Sequence, residues 1–124
     1  MDQTIVVARG TDTEYTFSIT NNGEALDLTT LSNAKIGVKE NYYDTYYVLG
    51  EYEIGDAGGP EVVSPATLGQ IKFTFSDTDT KNLYIKDSEE DWSGRGLLKL
   101  YFNDGSKIEG ARFNLRVSNS INPD

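Results

Sequence analysis

The sequence predicts an all-β protein built as a two-layer sandwich, and three observations carry that expectation. Apolar residues alternate with polar ones along several short segments, the period expected where one strand face is buried and the other is wet. Turn signals, led by Asn22-Gly23 and Asp104-Gly105, separate those segments. No stretch carries a helical period over more than two turns.

Taken in order, Tyr15, Phe17 and Ile19 alternate with Thr16, Ser18 and Thr20, and Asn22-Gly23 follows as a tight turn. Ala25, Leu26 and Leu28 continue the chain, with Asp27 and Thr29 placed to tie down the local backbone. Ile36 and Val38 point inward between outward Lys35 and Lys39. Tyr46 to Ile54 is rich in aromatic and β-branched residues and reads as a strand, and 55–60 is a glycine-rich loop. Val62 and Val63 pair briefly before Pro65, and Gly69 opens the alternating run Ile71, Phe73, Phe75.

Ser76 to Leu83 predicts one helical turn, with Ser76 as N-cap and Asp77 and Asp79 at the positive end. Lys86 to Gly94 is acidic and expected to be exposed. Leu98, Leu100 and Phe102 form a strand closed by Asp104-Gly105. Phe113, Leu115 and Val117 form its partner, with Arg112, Asn114 and Arg116 facing water. The expected core is Tyr15, Phe17, Ile19, Leu28, Ile36, Val38, Ile71, Phe73, Leu98, Leu100, Phe113, Leu115 and Val117. The 124 residues fit one domain, 1–124, with 119–124 as a tail.

Composition narrows the function classes. The chain has no histidine and no cysteine. A serine or cysteine nucleophile with a histidine base is therefore ruled out, and so are the usual zinc, copper and iron ligand sets. No disulfide is possible. The net charge of −9, from 20 acidic and 11 basic residues, sets the molecule against phosphate backbones and anionic membranes. The N-terminus lacks the basic and apolar regions of a secretory signal, and no run reaches the roughly 18 apolar residues of a membrane span.

The remaining chemistry is thin. Asp87, Glu89, Glu90 and Asp91 beside Trp92 could supply a pair of carboxylates for glycoside hydrolysis. However, no apolar pocket is visible in the sequence to raise one pKa above the others. Asp77-Thr78-Asp79 resembles the opening of a calcium loop, but Asn82 and Ser88 stand where an EF-hand needs glycine and glutamate. Asp44, Asp56 and Asp87 are further loop carboxylates that could share an ion. The reading is no catalytic residue, no cofactor and no metal. The aromatic cluster Tyr42, Tyr43, Tyr46 and Tyr47, near Tyr52, offers flat apolar area with polar tips. Two neighbours in a strand cannot both face the core, so it is the expected interaction surface. Trp92 reads first as a plug over one end of the core, and is also named with the tyrosines as a contact residue.

The order of these signals resembles a known family. Arg9-Gly10-Thr11-Asp12-Thr13, the strand Tyr15–Thr20, Asn22-Gly23 and Leu26-Asp27-Leu28-Thr29 are similar to the opening of the N-terminal domain of phage baseplate upper proteins. Gly69-Gln70-Ile71-Lys72-Phe73 and Asp79-Thr80-Lys81-Asn82-Leu83 resemble that family's glycine-led strand and its short polar turn. Gly96–Tyr101, Asp104-Gly105 and Phe113–Val117 resemble its closing hairpin. The resemblance spans residues 5–118. It departs from the family pattern in its long aromatic stretch Tyr42–Pro60, and in stopping at Asp124 where the family continues into a receptor-binding region. It implies an immunoglobulin-like antiparallel β-sandwich of about seven to eight short strands, with no enzymatic activity. It further implies a phage tail or baseplate module that docks other virion structural proteins and itself as a homo-oligomer, made in the bacterial host cytoplasm. The alternative is a carbohydrate-binding module, in which the same tyrosines stack on a glycan.

Overall fold

The computed structural model describes residues 3–39, 51–81 and 92–118. Ten strands are formed among them: β1 (Gln3–Ala8), β2 (Thr13–Ser18), β3 (Thr20–Asn21), β4 (Glu24–Ala25), β5 (Leu31–Lys39), β6 (Glu51–Glu53), β7 (Glu61–Val62), β8 (Gln70–Phe75), β9 (Trp92–Phe102) and β10 (Lys107–Ser118). A 3-10 turn at Ala66–Leu68 and one short helix, α1 (Asp77–Lys81), complete the described elements.

The strands form two main layers. One sheet has the order β1-β10-β9-β5-β6 and the other β2-β8-β7, with β3 and β4 as a separate small hairpin. The order β10-β9-β5-β6 against β2-β8-β7 is the G-F-C-C′ against B-E-D arrangement of immunoglobulin-type sandwiches. The expected fold class is therefore present, with two differences. There are more strands than the seven or eight anticipated, because two-residue ladders such as β3–β4 are too short to show a period. The antiparallel rule also has one exception: β1 runs parallel to β10, from Gln3 opposite Phe113 to Ala8 opposite Ser118. These strands lie at opposite ends of the chain, so no hairpin forces them antiparallel.

Alternation explains each layer. Along β9, Trp92, Gly94, Gly96, Leu98 and Leu100 are buried, and along β10 Phe113, Leu115 and Val117 are buried. From the facing sheet come Phe17 on β2 and Ile71, Phe73 and Phe75 on β8. The thirteen expected core residues are all buried except Tyr15, which is half-buried against the cluster. Ile5, Val7, Ala34, Phe75 and Trp92 join them.

A file of rings crosses the sandwich. Tyr15 and Phe17 lie 4.9 Å apart, Phe17 and Phe113 5.2 Å, Phe113 and Phe75 6.2 Å, Phe75 and Phe73 5.0 Å, and Phe73 and Tyr52 5.6 Å. Most of these contacts are tilted or edge-on, the arrangement the ring quadrupole favours.

The turns follow their sequence chemistry. Asn22 and Gly23 both take positive φ (56° and 84°), as a two-residue hairpin between twisted strands requires. Asp104 Oδ1 accepts the Ser106 N–H at 2.9 Å and the Ser106 hydroxyl at 2.6 Å, fixing the β9–β10 turn. At α1, Ser76 Oγ accepts the Asp79 N–H at 3.1 Å, so the expected N-cap is present. Asp12 Oδ1 caps the same helix from the β1–β2 connection by accepting the Asp77 N–H at 2.8 Å. Fully buried Thr80 accepts the Gly10 N–H at 3.0 Å and donates to the Asp77 carbonyl. Asp77 to Asp79 thus begins a tethered helix, with each of its first polar groups engaged in the fold.

Candidate interaction surface

The outer face of the five-stranded sheet gathers residues that lie far apart in the chain. On each strand the outward positions are those between the buried ones. Cross-strand register then places Lys35 opposite Lys99, and Lys99 opposite Glu109. Glu53 lies on the other side of Lys35. Two residues along, Gly37 faces Leu97, which faces Arg112. Two further along, Lys39 faces Arg95, which faces Asn114 and then Thr4. Arg116 lies between Ser93 and Val6, and Lys107 faces Tyr101 at the hairpin end.

Seven of the chain's eleven basic residues therefore share one face: Lys35, Lys39, Arg95, Lys99, Lys107, Arg112 and Arg116. Among the described residues three acidic ones join them, Glu51, Glu53 and Glu109, for a net +4 over the described part of this face. The repulsion of anions inferred from total charge does not describe this face, because the field at a surface is set by nearby charges within a Debye length.

Local contacts shape the patch. Lys35 Nζ lies 5.3 Å from the centre of the Tyr101 ring, within cation–π reach. Glu53 Oε1 accepts from Asn33 Nδ2 at 2.8 Å, and Arg112 Nε meets Glu109 Oε1 at 3.1 Å. No carboxylate among the described residues lies within ion-pair distance of Lys35, Lys99 or Lys107. A shallow hollow of about 260 Å³ opens beside the hairpin, lined by Lys99, Tyr101, Lys107, Ile108 and Glu109.

Two like-charge pairs stand directly opposite each other here, Lys35 with Lys99 and Lys39 with Arg95. Such pairs destabilise a sheet by a few tenths of a kcal/mol up to about 1 kcal/mol, where an opposite-charge pair would stabilise it by as much. A face shaped only for solubility or stability would intersperse the signs.

The second layer carries the opposite sign. Lys72 lies 3.9 Å from both Glu14 and Glu61 on the outer face of the three-stranded sheet. Beside them is a hollow of about 170 Å³, lined by Asp12, Tyr52, Ala57, Gly58, Thr74, Ser76 and Asp79. Within it the Tyr52 hydroxyl donates to Asp79 Oδ2 at 2.6 Å. That bond to a carboxylate, then partial burial and the charges of Asp79 and Asp56, push the Tyr52 phenol up to about 12. At neutral pH Tyr52 is therefore a fixed donor, not a base. Because its folded pKa lies above the ordinary value near 10, the bond contributes stability fully below pH 10 and loses it as pH rises through about 12. Thermal melts at pH 9 to 12 should show wild type losing stability more steeply than Tyr52→Phe, and parallel curves would refute that role.

The expected contact residues fare differently. Tyr42, Tyr43, Tyr46 and Tyr47 lie outside the described residues, as do the acidic run 87–91 and the tail 119–124. Trp92 requires a correction: it is the first residue of β9, is only 6% exposed, and packs in the core cluster with its indole over Gly94. It fills the core end and offers no platform to a ligand. The expectation that Lys86–Gly94 is exposed also fails at Trp92 and Gly94, both buried. Sequence reasoning placed Lys35, Lys39, Arg112 and Arg116 outward but did not assemble them into a site. The usable signal was the basic residue recurring beside each buried apolar one.

Among the described residues, no group of three or more acidic side chains is placed to hold a metal ion, and no helix is long and apolar enough to cross a membrane. Compared with known proteins, the chain matches no protein-family model and no curated protein sequence.

Proposed function

We propose that this chain is a non-enzymatic structural module of a phage tail or baseplate, working by protein–protein assembly, with the outer face of the five-stranded sheet as a docking face. One observation carries the docking role: a sheet face whose described residues sum to +4, with Lys35 directly opposite Lys99 and Lys39 opposite Arg95. Holding Lys35 directly against Lys99 costs stability, and an anionic partner surface relieves the cost. The motif order that resembles phage baseplate upper proteins, and the immunoglobulin-type strand order, support the structural setting. Fold alone does not specify function, so the charged face bears the weight of the docking role.

The test is immunogold labelling and mass spectrometry of virus particles purified from a lysate of the strain that encodes the chain. The chain is expected at the tail end of the particles. Intact particles lacking it would overturn the assignment.

A further inference from the structure

The two layers of this sandwich are electrostatic opposites, and that points to a specific partner. Among the described residues, the five-stranded layer presents seven basic and three acidic ones. On the side of the other layer, Asp12, Glu14, Glu61 and Asp79 stand with Lys72, a net −3 over those five residues. We propose that the basic face docks on the acidic back of a second copy of this chain, so that copies stack head to tail. The inference rests on the structural-module reading and names the partner of its docking face.

Three observations favour a second copy over another acidic protein. The complement, of opposite sign, is present on the same molecule. The two surfaces belong to opposite layers, so one copy's front meets the next copy's back with no need for the chain to fold around itself. Both are built on strands or on segments tied to them: Asp12 is fixed to α1, Asp79 to Tyr52, and Glu14 and Glu61 flank Lys72. A contact of this kind is heterologous, because different patches meet. It therefore propagates into a filament, or closes into a ring if the rotation between copies permits. Leu97, half-buried between Gly37 and Arg112, and exposed Val6 supply apolar area within the charged field.

The contact is electrostatic and must respond to salt. The Debye length falls from about 10 Å at 0.1 M to about 3 Å at 1 M. Sedimentation velocity of the full chain at 0.05 M sodium chloride should show mass rising with concentration, with the smaller species recovered at 1 M. The sharper test is a charge swap. The variant K35E/R95E/K99E takes the front from +4 to −2, and E14K/E61K takes the back from −3 to +1. Each variant alone should associate about tenfold more weakly or worse, while an equimolar mixture should regain association, since each then offers the face the other lacks. All five side chains are exposed or half-exposed, and circular dichroism of each variant checks that the fold is kept.

A wild-type chain that stays monomeric at low salt would overturn the proposal. So would variants that associate as wild type does, or a mixture that fails to recover. Binding of the wild-type face to heparin or nucleic acid without self-association would also overturn it, and would assign the face to an anionic polymer. Each of these outcomes leaves the particle-labelling result untouched, so failure of the stacking model and failure of the virion assignment are separable.

Discussion

Phe113→Ala is expected to destabilise the protein by about 3–5 kcal/mol, the range for truncating a fully buried phenylalanine. Phe113 is 0% exposed. Its ring lies between Phe17 of β2 and Phe75 of β8, at 5.2 and 6.2 Å, and so joins the two layers at mid-core. On its own sheet it covers Gly96, its cross-strand partner on β9: a β-carbon added there would sit 2.0 Å from the ring edge. Truncation removes the ring and leaves a space whose walls are held from both layers. Strand pairing fixes Gly96 below, and the neighbouring rings are fixed by Tyr15 and Phe73. Such a site collapses poorly, which puts the expected cost at the upper part of the range. Against a typical total of about 5–15 kcal/mol the loss is large. Urea unfolding followed by tryptophan fluorescence would measure it through the core residue Trp92, and a loss under 1 kcal/mol would show that the ring file does not bind the layers.

The same residues show where the sequence is legible. Phe113, Leu115 and Val117 stand out because polar residues separate them, and Asn22-Gly23 and Asp104-Gly105 mark hairpins through backbone chemistry that needs no tertiary context. Ile5-Val6-Val7 has no alternation to read. Its strand exists because it pairs in parallel with β10, more than a hundred residues away, and only that pairing buries Ile5 and Val7 while leaving Val6 56% exposed. Gly94 closes a segment expected to be exposed, and neither it nor Gly96 has a side chain to mark a buried position. In the fold they are strand residues whose missing side chains make room for the Trp92 and Phe113 rings. The basic face was hidden for a related reason. β5, β9 and β10 each contribute two or three cations between apolar residues, a pattern typical of a solvated face. Only register sets Lys35 against Lys99 and Lys39 against Arg95, and a total charge of −9 gives no hint of the +4 summed over the described residues of that face.

Gly69→Ala should cost about 2–5 kcal/mol, although it adds one methyl group. Gly69 ends the 3-10 turn Ala66–Leu68 with φ 67° and ψ 31°, a left-handed conformation that costs a residue with a β-carbon roughly 1–2 kcal/mol. The added carbon would also meet three backbone atoms at 2.8 Å: the carbonyl oxygen of Ile19, and the nitrogen and oxygen of Leu26. At Gly96 an added methyl would press on a side chain, the Phe113 ring. Here the neighbours are main chain engaged in hydrogen bonds. Ile19 N–H donates to the Gly69 carbonyl at 2.8 Å, and Leu26 N–H donates to the Ile19 carbonyl at 2.9 Å. Relieving the overlap means separating the segment after β2 from the start of β8, which adds about 1–3 kcal/mol of overpacking strain. Conformation and crowding can be told apart. At Gly105, φ is 90° but no atom lies within 4 Å of an added β-carbon, so Gly105→Ala bears only the conformational part. Equal melting temperatures for the two variants would mean that the close approach at Gly69 carries no weight, whereas a clearly lower value for Gly69→Ala is the expected result.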